Sequence, residues 1–230
     1  MKWKSIIYLL AAGGILFSGC SKEAGPPRYA APDQDPNGNP YQEEYNAVVT
    51  VKQTTSGTIY FQVDEKSRLY PVNYEEPYTG PKRLACLISD FGGMVDGNVN
   101  WHYGMVVWSE EVEEGPIYPR DESFPADDGL NVLDDWMTSL EDAFLTIHYS
   151  TFWGDGSTAH QLLLMEGNQE GEFLLLHYRN GDEALTEADA LICFDLNDRL
   201  PKTEGMDIKL KWTTGAGESA EKSFRFRSRP

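Results

Sequence analysis

Three features of the sequence predict an all-β protein: stretches in which apolar and polar residues alternate, turn clusters recurring about every eight to twelve residues, and a change of composition midway along the chain. The architecture they predict is a small OB-like barrel over residues 46–115, a linker over 116–128 and an antiparallel β-sandwich domain over 129–230. Residues 20–230 are too many for one small barrel and suit two compact domains.

The leader decides where that body would live. In MKWKSIIYLLAAGGILFSGC, Lys2 and Lys4 supply a charged start, and Ile6 to Phe17 an apolar run too short to span a bilayer. Ser18-Gly19 then places small residues before Cys20. Residues 1–19 therefore read as a lipoprotein signal peptide. Cys20 is the expected lipidation site, carrying acyl chains such as palmitate on the mature N-terminus. Residues 20–45, rich in Pro, Gly, Asn, Asp and Glu, read as a flexible, lipid-anchored tether. Asp33, Asp35, Asn37 and Glu44 fit the spacing of a calcium loop, but Pro36 and Pro40 and the lack of flanking helices favour an acidic, turn-rich tether.

Beyond the tether the period becomes two. Tyr45 to Lys52, Thr58 to Val63, Arg68 to Val72, Lys82 to Ser89 and Trp101 to Ser109 are five expected strands, with Gly92-Gly93 as a bend and Pro71 suggesting an edge position. Pro116, Pro119 and Pro125 with several acids mark the linker. Leu130 to Leu140 has helical spacing among extended neighbours and is read as a strand. Ala143 to Trp153 alternates clearly, and Gly154-Asp155-Gly156-Ser157 suggests a hairpin onto His160 to Met165. Phe173 to Tyr178, Ala190 to Leu196, Asp207 to Thr213 and Lys222 to Arg227 complete six or seven strands.

Charge narrows the partners. With 19 basic and 37 acidic residues the chain carries −18, and loss of Lys2 and Lys4 brings it to about −20. Such a field repels phosphate backbones, so nucleic acid is not expected, and membrane contact must come from acyl chains. A protein or peptide partner, preferably basic, is favoured. Cys86 and Cys193 sit in apolar runs far apart and are expected to be buried thiols; no cysteine pair has metal-site spacing.

No pattern for catalysis is present, so no catalytic residue, cofactor or metal ligand is assigned and the chain is not expected to be an enzyme. His102, His148, His160 and His177 lie on separate strands without metal-ligand spacing. The doublets Glu110-Glu111, Asp127-Asp128 and Asp134-Asp135 suit solvated strand ends better than a hydrolase. Tyr60, Phe61, Trp101, Tyr103 and Trp108 could stack bases, but Asp64, Glu65, Asp90, Glu110 and Glu111 surround them where a basic groove would be needed.

The segments GTIYFQVDEKSRLYPVNY, KRLACLISDF, WHYGMVVWSEEV and DDGLNVLDDWMTSLEDAFLTIHYSTFWGDGSTAHQLLLM, following a lipobox, resemble the NigD-like lipoproteins over most of the mature chain. Leu69-Tyr70-Pro71, Trp136, Phe144-Leu145 and His160 stand at the family's motif positions, with Thr146 where Asn is usual. The resemblance implies an OB-type domain followed by a β-sandwich, and favours a strand over Leu130 to Leu140. It brings no catalytic or binding residues. Its name derives from a bacteriocin gene cluster, which makes immunity the most specific functional expectation. An accessory subunit handling nutrients or glycans at the envelope is the alternative, and the outer membrane the expected location.

Overall fold

The computed structural model describes residues 43–91, 94–154, 158–200 and 204–229. The leader, Cys20, Asp33, Asp35, Asn37 and the Gly92-Gly93 bend lie outside the described residues; Glu44 falls on the first strand. Every regular element described is a β-strand, and the chain divides into two compact units between Val112 and Glu113.

The first unit is a closed five-stranded barrel. β1 (Glu43–Gln53), β2 (Ile59–Gln62), β3 (Arg68–Pro71), β4 (Lys82–Asp90) and β5 (Trp101–Glu111) close in the order β1-β2-β3-β5-β4. Alternation explains the interior. Val49, Val51, Phe61, Leu69, Leu84 and Ile88 point inward and are at most 2% exposed, each stabilising the fold by roughly 2–3 kcal/mol. Contrary to the edge position suggested by Pro71, β3 is enclosed, antiparallel to β2 and parallel to β5. Pro71 is tolerated because the ladder to β2 already ends at Leu69, while the pairing to β5 runs past it through the Val72 N–H, which donates to the Gly104 carbonyl at 2.9 Å. Gly104 on β5 admits the tight interior: a Cβ there would lie 2.6 Å from Leu69 Cδ1 and 2.9 Å from the Ser89 carbonyl oxygen. A register shift opposite Leu87 and Ile88 leaves Val107 as the extra residue of a bulge.

The second unit is a β-sandwich. β6 (Ile117–Tyr118), β10 (Gln161–Glu166), β11 (Glu172–Tyr178), β13 (Glu204–Thr213) and β14 (Ser219–Arg227) form one sheet in the order β14-β13-β11-β10-β6. β7 (Asn131–Val132), β8 (Ser139–Glu141), β9 (Phe144–Trp153) and β12 (Thr186–Asp195) form the other, with β12 on one edge of β9 and β7 and β8 on the other. The ladders are antiparallel apart from β6–β10 and β11–β13, which are parallel. Leu145, Ile147, Leu164, Phe194, Leu210 and Phe226 form the dry layer between the sheets.

Three further expectations are corrected. Residues 116–128 are not simply a linker, because β6 within them pairs with β10 through Ile117↔Leu164 and Tyr118↔Met165. Leu130 to Leu140 is not one strand: β7 and β8 flank a turn in which Asp135 Oδ1 accepts the Met137 N–H at 3.0 Å and the Asp135 carbonyl accepts that of Thr138 at 3.2 Å. That side chain competes with strand pairing and breaks the run. The hairpin expected to join β9 to β10 is not formed, since the two strands belong to different sheets; Asp155, Gly156 and Ser157 themselves lie outside the described residues. The tight turn lies instead before β9, where Asp142 and Ala143 both adopt positive φ, 50° and 63°, between β8 and β9.

Cys86 and Cys193 are buried in different units and form no disulfide. Burial pushes the Cys86 thiol up to about 12, a rise that the nearby Arg83 charge opposes only in part. In the folded protein an aromatic disulfide reagent is expected to titrate neither thiol at pH 8, and both once urea unfolds the chain. Rapid labelling of the native protein would show that these sites open.

Candidate functional site

Three histidines of the sandwich stand in two polar clusters, His148 in one and His160 with His177 in the other. The first lies on the outer face of β9. Leu145, Ile147 and Tyr149 face the core, so Thr146, His148 and Ser150 face away from it, yet all three are buried. Their cover is the excursion from Leu133 to Glu141. The Thr138 hydroxyl donates to the Leu133 carbonyl at 2.6 Å and accepts the His148 backbone N–H at 3.1 Å. His148 Nδ1 meets Asp135 Oδ2 of that excursion at 2.6 Å, and Nε2 meets Asp189 Oδ2 of β12 at 2.7 Å. The register Asp189↔Ser150 places this aspartate diagonally beside His148, while Glu187 accepts the Ser150 hydroxyl at 3.1 Å.

Both neighbours of His148 are carboxylates, so both ring nitrogens donate and the imidazolium is the form that fits. Burial opposes that charge, but the hydrogen bonds to Asp135 and Asp189 outweigh it and raise the pKa above the ordinary value. For Asp135 burial likewise works against ionisation and is overcome by His148, holding the carboxyl low. The arrangement is a staple between the covering loop and two strands.

The second cluster closes the end of the five-stranded sheet. His177 on β11 bonds through Nδ1 to the Gly129 carbonyl at 2.7 Å, and through Nε2 to His160 Nδ1 at 3.1 Å. His160 Nε2 reaches Asp182 Oδ2 at 3.1 Å, and that oxygen also accepts the Gly154 N–H at 2.7 Å. Trp153 stacks on His160 at 4.1 Å between centroids. Both ends of this chain are acceptors, so three links need three protons on two rings, one more than a neutral pair carries. Burial depresses both histidines despite Asp182 and Gly129, so the neutral pair dominates at neutral pH and acid supplies the third proton. Asp128 and Arg179 also face the pair, and Arg179 N–H donates to Asp128 Oδ2 at 2.8 Å.

Gly129 itself is fixed by its surroundings. Its φ is +71°, and a Cβ would lie 2.4 Å from the Thr214 carbonyl oxygen. Asp127 Oδ1 accepts the Gly129 N–H at 2.8 Å, while the flanking Asp128 and Leu130 amides bond to the His177 and Thr213 carbonyls. The doublet Asp127-Asp128 thus serves a backbone strap. Asp134 meets Lys222 at 2.5 Å and Glu111 meets Lys82 at 3.0 Å. His102 on the barrel lies between Asp90 and the Val99 carbonyl, at 2.9 Å from each. Among the described residues no group of three or more His, Cys, Asp and Glu is placed to hold a metal ion.

The aromatic set on the barrel separates by face. Phe61 is core, whereas Tyr60, Tyr70, Trp101 and Tyr103 lie on the outward face of β2, β3 and β5; there Tyr60 is buried, Tyr70 and Trp101 are half-buried, Tyr103 is 48% exposed, and Trp108 further along β5 is 36% exposed. Sequence spacing could not reveal either histidine cluster, because each draws on segments joined only by sheet register and by crossings between sheets. The one available signal was a polar His148 within the apolar alternation of β9.

Comparison with known proteins bears on the whole arrangement. A comparison with curated proteins finds no match. Among solved structures, a candidate toxin-related protein of Parabacteroides distasonis superposes with a TM-score of 0.62 at 21% identity, covering 81% of this chain and 94% of that one. A NigD-like immunity protein of Bacteroides caccae gives 0.56 at 18%, covering 81% and 98%. A candidate lipoprotein of Bacteroides fragilis gives 0.57 at 10%, covering 81% and 99%. At these identities the likeness establishes the shared fold. The family model of the NigD-like C-terminal β-sandwich domain matches residues 112–226, half of the chain, and begins where the second unit begins. The chain therefore belongs to the NigD-like family, through a β-sandwich that follows an OB-type barrel.

Proposed function

We propose that this protein is a lipoprotein of the bacterial envelope, held at Cys20, that works as a non-enzymatic binding or structural module. Bacteriocin self-protection is its most specific form. The observation that carries the proposal is the leader: a charged start, a short apolar run and small residues immediately before Cys20. Several acyl chains on one residue give stable membrane attachment, which a single chain does not. The acidic tether then holds the body off the surface, which suits the outer membrane.

The histidine chemistry supports a non-enzymatic reading. Both nitrogens of His148 are bonded to carboxylates, and the rings of His160 and His177 are enclosed between each other, Asp182 and the Gly129 carbonyl, so these rings serve to hold loops. The immunity version draws on family membership and on the Bacteroides caccae neighbour described as an immunity protein.

The test is in-cell crosslinking and affinity capture with the intact protein and with Cys20→Ala, together with killing curves of a deletion strain against a toxin panel. The anchored form is expected to enrich one specific protein, and the deletion strain to be more sensitive to one toxin. Unchanged killing across the panel would eliminate the immunity version. Identical capture by both forms would contradict an anchor-dependent partner.

A further inference from the structure

The outward face of the barrel carries an assembled aromatic surface that none of the contacts holding the fold requires to be exposed. Parallel pairing of β3 with β5 sets Arg68 beside Trp101 and Tyr70 beside Tyr103. Tyr70 is the centre: its ring lies 5.8 Å from Tyr60, 6.2 Å from Trp101 and 6.2 Å from Tyr103. The Arg68 guanidinium lies over the rings of Tyr60 and Trp101, at 4.6 and 4.5 Å. Among the described residues its side chain has these ring contacts and no carboxylate partner. It is a cation seated over two aromatic rings, with its N–H groups left to donate. Tyr103, 48% exposed, extends the surface towards solvent, and Val72 and Met105 beside it are 59% and 36% exposed.

Electrostatics selects the ligand. A polyanion is repelled by a chain of net charge −18, so a nucleic acid or a polyuronate does not fit. A basic peptide does not fit this face either, because Arg68 already occupies the cation-binding faces of Tyr60 and Trp101 and would repel a second cation. An uncharged chain with apolar faces and hydroxyl groups matches both the exposed ring of Tyr103 and the N–H groups of Arg68.

We infer that this face binds a neutral glycan. Sugar rings lay their C–H faces on Tyr70 and Tyr103, and the edge of the Arg68 guanidinium donates to their hydroxyls. The inference rests on the envelope-module reading only in expecting glycan within the protein's reach.

The experiment is affinity electrophoresis of the full mature chain, purified in detergent, through gels containing starch, mannan, galactan or xylan, with polygalacturonate as the acidic arm. At least one neutral polysaccharide is expected to retard the protein, and Tyr103→Ala to weaken that retardation at least about tenfold. Because Tyr103 is exposed, this variant keeps the fold, which circular dichroism checks. Trp101→Ala removes one side of the Arg68 clamp and should weaken binding as well. Retardation by none of the four, by polygalacturonate alone, or to the same degree with Tyr103→Ala would overturn the inference. The gel uses purified protein, so its failure leaves anchoring at Cys20 intact, and an unacylated Cys20 would leave a positive gel standing.

Discussion

Replacing His148 with leucine is expected to lower the stability of the sandwich by about 2–3 kcal/mol at pH 5.5, and by clearly less at pH 9. The substitution leaves Asp135 and Asp189 without their shared partner; because their side chains are 31% and 46% exposed, water screens part of the loss. The pH dependence follows from the raised pKa of His148. Its stabilisation is complete below the unfolded value of about 6.5 and disappears as pH rises through the higher folded value. Asp135 acts oppositely: held low, it stabilises above its unfolded value of about 4 and fails as pH falls through its folded one. The effect should therefore be largest between about pH 4 and 6.5. Urea midpoints of the two proteins at pH 5.5, 7 and 9 measure it. An equal loss at all three would show that His148 contributes packing alone.

Gly129→Ala is expected to destabilise by about 3 kcal/mol. Roughly 1–2 kcal/mol comes from placing a side chain at φ +71°. The remainder comes from the collision with the Thr214 carbonyl oxygen, which displaces the strap and breaks the buried bond from His177 Nδ1 to the Gly129 carbonyl. Two measurements separate these effects: denaturation gives the total, and the His177 ring nitrogen resonances report whether Nδ1 keeps its proton and acceptor. Stability within 0.5 kcal/mol of the parent, with unchanged resonances, would mean that the strap adapts and that the glycine is incidental.

These two sites show which parts of the molecule could be read from its sequence. In β9 the alternation of Leu145, Ile147 and Tyr149 with Thr146, His148 and Ser150 identifies a strand and its core face. Alternation also suggests that the polar face is wet, and here it is not, because the loop that covers it pairs through single side chains rather than through a periodic pattern. The barrel strands were legible for the same local reason. The closed strand order, by contrast, depends on the parallel meeting of β3 and β5, which no turn residue announces.

Turn chemistry was informative where a turn joins neighbours in one sheet, as at Gly217, with φ of 82°, between β13 and β14. It misled at Gly154 to Ser157, where the chain passes from β9 to β10 in the other sheet. That crossing is what brings Trp153 onto His160 and Gly154 onto Asp182. The di-histidine cluster was invisible to spacing for two reasons: the β10–β11 register sets His160 diagonally beside His177, and the crossing adds Trp153 and Gly154 to them.

The central claim is that Cys20 carries the protein's membrane anchor, and mass spectrometry of the mature N-terminus tests it most directly. The peptide isolated from the cell envelope is expected to begin at Cys20 and to carry a thioether-linked diacylglyceryl group and an N-acyl chain, and Cys20→Ala should abolish both the modification and the membrane fractionation. An unmodified Cys20, or a mature chain beginning at another residue with unchanged membrane association, would contradict the account.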